Sequence, residues 1–96
     1  MIFARHYHLK AADGKTNELL HSLNRLAEAL KKIEGFNSAE LFAYAEKEDE
    51  FVFVEQWTSR EAHGDSASKM SGTIFQSVMD NLADRPRVFS LQSRSH

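Results

Sequence analysis

The stretch Glu50–Glu61, EFVFVEQWTSRE, constrains this chain more than any other. Phe51, Val52, Phe53 and Val54 form an unbroken β-branched and aromatic run, which reads as a buried strand. Glu55, Gln56 and Trp57 then place polar groups and one large ring at the strand's end. Thr58 with Glu61 three residues on is a capping box, so a helix is expected to start there. A strand that runs straight into a capped helix leaves its last side chains at the rim of a sheet, where clefts form. The run is therefore expected at the centre of a sheet, with its C-terminal end at the mouth of any pocket.

The rest of the chain supplies partners for that strand. Met1–Lys10 alternates, with Phe3, Arg5, Tyr7 and Leu9 on one side and Ile2, Ala4, His6 and His8 on the other. Asp13-Gly14 breaks it into a turn. Thr16–Glu34 carries Leu19, Leu23, Leu26, Leu30 and Ile33 at alternating spacings of four and three, the stripe of an amphipathic helix. Thr16 or Asn17 is expected to cap its start, and Gly35 to end it in the left-handed conformation. Asn37–Ala45 reads as a second strand and Glu46–Glu50, EKEDE, as an acidic hairpin loop. Thr58–Leu82 is helical, with a break expected near Ser68–Gly72. Arg85-Pro86 stops it, and Arg87–Gln92 is a last strand before a polar, frayed tail at Ser93–His96.

Strand, helix, strand, strand, helix, strand is the split βαβ of ferredoxin-like α+β folds: a four-stranded antiparallel sheet with both helices on one face. The strands nevertheless carry large apolar groups on both faces, such as Phe42 against Leu41 and Phe51 against Val52. An uncovered face of that content is an apolar patch, and a second copy packed sheet against sheet resolves it. A homodimer is the expectation.

Size and composition point the same way. The 96 residues make one domain, 1–96, whose small core supplies modest stability. There is no cysteine, hence no disulfide and no thiolate metal site, which leaves oligomerisation as the usual means of burying more surface. The net charge of -2 speaks against nucleic acid or an anionic membrane as partner. No stretch approaches the ~20 apolar residues of a membrane span, and no signal-peptide pattern opens the chain, so a cytoplasmic protein is expected. No phosphate loop, nucleophile elbow or metal-binding helix motif is visible, so no nucleotide, flavin or metal is called for.

His6, His63 and Trp57 stand out as candidate catalytic residues. His6 shares a strand face with His8 and can serve as a general acid or base, or as a half-exposed edge residue. Trp57 at a strand end can wall a pocket against a planar substrate or anchor the core. His63, early in the second helix, can point back to the sheet mouth or face water. Glu55 can act as a base or pair with Arg60. Arg5, Tyr7 and Tyr44 can donate hydrogen bonds to a bound oxyanion.

At Glu55-Gln56-Trp57 followed by Thr58-Ser59-Arg60-Glu61-Ala62, the chain resembles the antibiotic biosynthesis monooxygenase family, which shows an apolar strand, Glu-x-Trp, and a polar turn into a helix with Ala at the place of Ala62. Glu34-Gly35-Phe36 is similar to the family's Glu-Pro-Gly, and Leu82–Pro86 resembles the segment before its last strand. The resemblance implies a dimeric α+β barrel. It implies oxidation of a quinol, anthrone or similar small aromatic by molecular oxygen, without metal or flavin, because the deprotonated substrate itself reduces oxygen. The wider superfamily adds isomerases, haem-degrading oxygenases and non-catalytic small-molecule-binding or stress-response dimers as alternatives. One departure is visible: many members carry His eleven residues after the Glu, where this chain has Ser66, with His63 about one helical turn earlier.

Overall fold

The computed structural model describes residues 2–94. Its elements are β1 (Phe3–Lys10), α1 (Thr16–Leu30), β2 (Phe36–Ala43), β3 (Glu50–Trp57), α2 (Arg60–Ser66), a 3₁₀ turn (Ala67–Lys69), α3 (Gly72–Met79) and β4 (Arg87–Gln92). All strand pairs are antiparallel, in the order β2-β3-β1-β4, so β3 and β1 form the middle of the sheet. This is the ferredoxin-like α+β arrangement.

In β3 the burial alternates residue by residue: Phe51, Phe53, Glu55 and Trp57 are buried, while Val52, Val54 and Gln56 are half-buried toward the opposite face. The helices lie on the first face. Leu19, Leu23, Leu26 and Leu30 of α1 meet Phe3, Leu9, Phe51, Phe53 and Trp57 in one core. Burying each such side chain contributes roughly 1.5–3 kcal/mol. Between α1 and α3 the contact is partly polar: buried Ser22 shares a hydrogen bond with Ser77 Oγ at 2.9 Å and accepts from Asn81 Nδ2 at 3.2 Å.

Several boundaries differ from the sequence expectation: β2 runs Phe36–Ala43 where Asn37–Ala45 is expected, and α3 ends at Met79, three residues short of Leu82 and well before Pro86. α1 ends at Leu30, four residues early, because Lys32 and Ile33 close back three residues onto Ala29 and Leu30, which still delivers Ile33 to the core. Its N-cap is Lys15, with no side-chain cap bond, in place of Thr16 or Asn17. Ser59, not Thr58, caps α2, its hydroxyl accepting from Ala62 N at 3.0 Å. Thr58 is engaged elsewhere, its N–H donating to Gly35 O at 2.8 Å. Gly35 does take the left-handed conformation, at φ 89°, and stands so close to α2 that a Cβ there would lie 2.5 Å from the Ala62 Cβ. The tail begins tied down, with Ser93 N donating to Ile2 O at 2.9 Å; Ser95 and His96 lie outside the described residues.

The face away from the helices carries His6 and His8 from β1, Phe42 from β2 and Phe89 and Leu91 from β4, as the strand registers require. Phe42, Phe89 and Leu91 are 52%, 45% and 46% exposed, so the apolar open face expected from the two-faced strands is present in the single chain.

Candidate functional site

Glu55 is the chemical centre of the helix-covered face. Its parity in β3 is that of Phe51, Phe53 and Trp57, so the strand that builds the core also carries a carboxyl into it, leaving Glu55 only 3% exposed. A buried carboxyl is costly unless bonded. Trp57, two residues on and fully buried, donates its indole N–H to Glu55 Oε1 at 3.0 Å. Arg5 lies directly across the β1–β3 pair, and Tyr7, next on the same face of β1, meets Arg5 Nε with its hydroxyl at 3.5 Å. Arg5 is itself held by Ser90 of β4, Nη1 donating to its Oγ at 2.7 Å, and stands 5.5 Å over the Tyr7 ring. Among the described residues no buried side-chain nitrogen or oxygen lacks a partner.

Burial raises the Glu55 pKa above its ordinary value, and the Trp57 N–H, the Arg5 charge and the Tyr7 hydroxyl offset only part of that. Burial, followed by the Glu55 charge, also pushes the Tyr7 phenol up, so Tyr7 stays a donor. Glu55 and Tyr7 border a cavity of about 80 Å³ between the sheet and the helices, and the surface they and their neighbours present to it is apolar. Its other walls are apolar, with Leu23 and Leu26 from α1 and Phe75 and Val78 from α3. A broader depression of about 460 Å³ on the outer side of α1 is lined by surface groups such as Arg25, Glu28 and Lys32 and holds no buried acid.

Of the three candidates from the sequence, two come together. His63 meets Trp57 edge-on, with ring centroids 5.6 Å apart, and Phe3 at 5.5 Å. Burial, then the nearby Arg5 charge, lowers its pKa, so it favours the neutral form. Ser66, one turn later, is buried and spends its hydroxyl on His63 O at 2.6 Å. His6 is not brought to them: it pairs with Val54 and Phe89 on the open face, across the sheet from Trp57 and the cavity. Trp57 is a fully buried support for Glu55 and not itself a cavity wall. Glu55, Tyr7 and Arg5 are the groups that the choice of His6 and His63 passes over. The signal for Glu55 was its phase, since a carboxylate at a core parity of a buried strand is rarely idle.

Among the described residues no group of three or more His, Asp or Glu side chains is arranged to hold a metal ion, and no helix is long and apolar enough to cross a membrane.

A four-stranded antiparallel sheet with helices on one face and a buried acid between them defines a small ferredoxin-like α+β protein. The chain belongs to the antibiotic biosynthesis monooxygenase family, whose model matches residues 2–71. Solved structures share the fold across nearly the whole chain. SnoaB, a cofactor-independent oxygenase from Streptomyces nogalater, is 15% identical with a TM-score of 0.86, covering 99% of this chain and 95% of its own. A protein from Mycobacterium tuberculosis is 18% identical with a TM-score of 0.83, covering 100% and 98%. A conserved protein from Methanosarcina mazei Go1 is 14% identical with a TM-score of 0.87, covering 98% and 94%. At these identities the likeness is one of fold. No curated protein matches the chain in sequence.

Proposed function

We propose that this protein is a cofactor-independent monooxygenase that oxidises a small aromatic, a quinol or anthrone-like compound, with molecular oxygen in the cavity between the sheet and α1 and α3. One observation supports the reading: a single buried carboxyl residue, Glu55, borders a small apolar cavity next to Tyr7. Such a group is suited to remove one proton from an enclosed substrate, and a raised pKa brings it nearer the working range of a general base. The substrate anion then reduces oxygen directly. An anthrone-like CH₂ becomes a carbonyl, one oxygen atom remaining in the product and the other leaving as water with the two hydrogens. The apolar walls exclude water, which strengthens every charge interaction inside. Trp57 holds the carboxyl in place, and His63 buttresses Trp57.

A sheet-to-sheet homodimer belongs to the same reading, supported by the exposed Phe42, Phe89 and Leu91 on the open face. The test is oxygen uptake by metal-free and flavin-free protein over a panel of quinols and anthrones, with Glu55→Gln as control. Uptake that Glu55→Gln reduces by about 10²–10⁴-fold, the usual worth of a general base, supports the reading. Uptake unaffected by that variant, or none across the panel, overturns it.

A further inference from the structure

A second pocket opens at one end of the face away from the helices, apart from Glu55. The even residues of β1 finish there with His8 and Lys10, and the registers set Arg87 of β4 beside His8 and Glu50 of β3 beside Lys10. Tyr44, just past β2, and the Asp84-Arg85 turn before β4 complete the walls of a space of about 250 Å³. Its rim is pinned by main-chain hydrogen bonds: Ala83 N donates to Lys10 O at 2.8 Å, Ala11 N to Asp49 O at 2.7 Å and Tyr44 N to Glu50 O at 3.1 Å. His8 Nδ1 is hydrogen-bonded with the Tyr44 hydroxyl at 3.1 Å, and the His8 ring stands edge-on to Phe89. The walls are thus set before any ligand arrives, which lowers the cost of binding.

Charge decides what such a pocket takes. Lys10, Arg85 and Arg87, all exposed, line it, and among the described residues none of the three stands in an ion pair. Glu50 is already engaged by Lys47 at 3.2 Å, so Asp84 alone opposes these three cations. Positive charge is therefore in surplus here, in a chain whose net charge is -2. Guanidinium forks suit an oxyanion with several acceptor oxygens. The space falls below the roughly 300–1,000 Å³ of drug-sized ligand sites, so its occupant is small. An extended polyanion such as nucleic acid would meet repulsion from the adjoining hairpin, with Glu46, Glu48 and Asp49.

We propose that this pocket binds a small doubly charged oxyanion, the head of a phosphate monoester. Lys10, Arg85 and Arg87 take the charge, and the paired Tyr44 and His8 rings offer aromatic surface to the body of the ligand. The site uses none of the groups around Glu55 and stands or falls apart from any oxidation.

The test titrates phenyl phosphate into the full chain by calorimetry at mildly alkaline pH, where the phosphate carries both charges. Phenyl sulfate is the probe of similar shape with one charge fewer. Phenyl phosphate should bind, and phenyl sulfate should bind at least about tenfold more weakly. Arg85→Gln and Arg87→Gln should each weaken phenyl phosphate by about 10- to 100-fold, the worth of one hydrogen bond to a charged group. Asp84→Asn should tighten it, a gain that a damaged fold would not give. Lys32→Gln, on the outer side of α1, should leave it unchanged. Phenyl phosphate that does not bind, phenyl sulfate that binds as well, or arginine variants without effect would overturn the proposal. So would Asp84→Asn that weakens binding, or a loss in Lys32→Gln equal to that in the arginine variants, which would mark diffuse attraction in place of a pocket.

Discussion

Gly35→Ala is expected to destabilise the fold by about 2–5 kcal/mol, and the structure divides that cost into two parts. Gly35 has φ 89°, where a side chain costs roughly 1–2 kcal/mol. A Cβ would also lie 2.5 Å from Ala62 Cβ and 3.2 Å from Thr58 Oγ1, and such overpacking costs about 1–3 kcal/mol more. The parts separate in a double-mutant cycle with Ala62→Gly, which removes the opposing methyl at a helix-propensity cost of about 1 kcal/mol. Urea denaturation of the four proteins gives the energies. Gly35→Ala should lose far more stability when Ala62 is intact than when Ala62→Gly is already in place, with a coupling of about 1–3 kcal/mol. A cost below about 0.5 kcal/mol, the scale of ordinary surface changes, would refute both parts. A large cost with no coupling would refute the close approach and leave only the backbone strain.

Glu55→Gln should remove a pH dependence of stability. The folded pKa of Glu55 lies above its unfolded value near 4.5, so its stabilising neutral form is fully present below that value and is lost as pH rises through the folded pKa. Urea melts from acid to mildly alkaline pH should show the wild type losing ground to the variant; a difference constant with pH would contradict the assignment. Trp57→Phe keeps much of the core volume but removes a donor from a buried carboxyl, costing about 1.5–3 kcal/mol. It should also move the acid limb of any pH–rate profile to higher pH, since that bond lowers the Glu55 pKa; an unmoved limb would argue against Glu55 as the base. Light scattering should find the wild type a dimer and Phe42→Asp, which places a charge on the open face, a monomer; a monomeric wild type would refute the sheet-to-sheet pairing. His6→Ala should leave the pH–rate profile unaltered, because His6 faces away from the cavity.

Much of this architecture is legible in the sequence because local periodicity carries it. The leucine spacing of α1, the alternation of β1 and the break before Gly72 each follow from rules that act over a few residues. What escapes is set by distant partners. Thr58 fits a capping box, yet its N–H is claimed by Gly35, twenty-three positions earlier, and the cap passes to Ser59. The candidate site divides the same way. A ring at the end of β3 is plain in the sequence, and so is the parity that sets His6 apart from Arg5 and Tyr7. The meeting of Arg5 with Glu55 depends on the β1–β3 register, which only the folded sheet supplies. Imidazoles draw attention by their chemistry, but a buried carboxylate on an apolar strand is the rarer and more informative placement.

The alternation of β1 has a consequence for engineering. Arg5 and Tyr7 serve the enclosed face while His6 and His8, their immediate neighbours, serve the open one. If the proposed site and dimer hold, successive codons thus address separate properties, ligand handling and self-association, in a strand that is hydrogen-bonded on both flanks. On the same proposal, a library randomised at even positions of this strand should vary assembly while leaving the chemistry in place, and one at odd positions should do the converse. Insertion of a single residue would exchange the two sets and lose both at once.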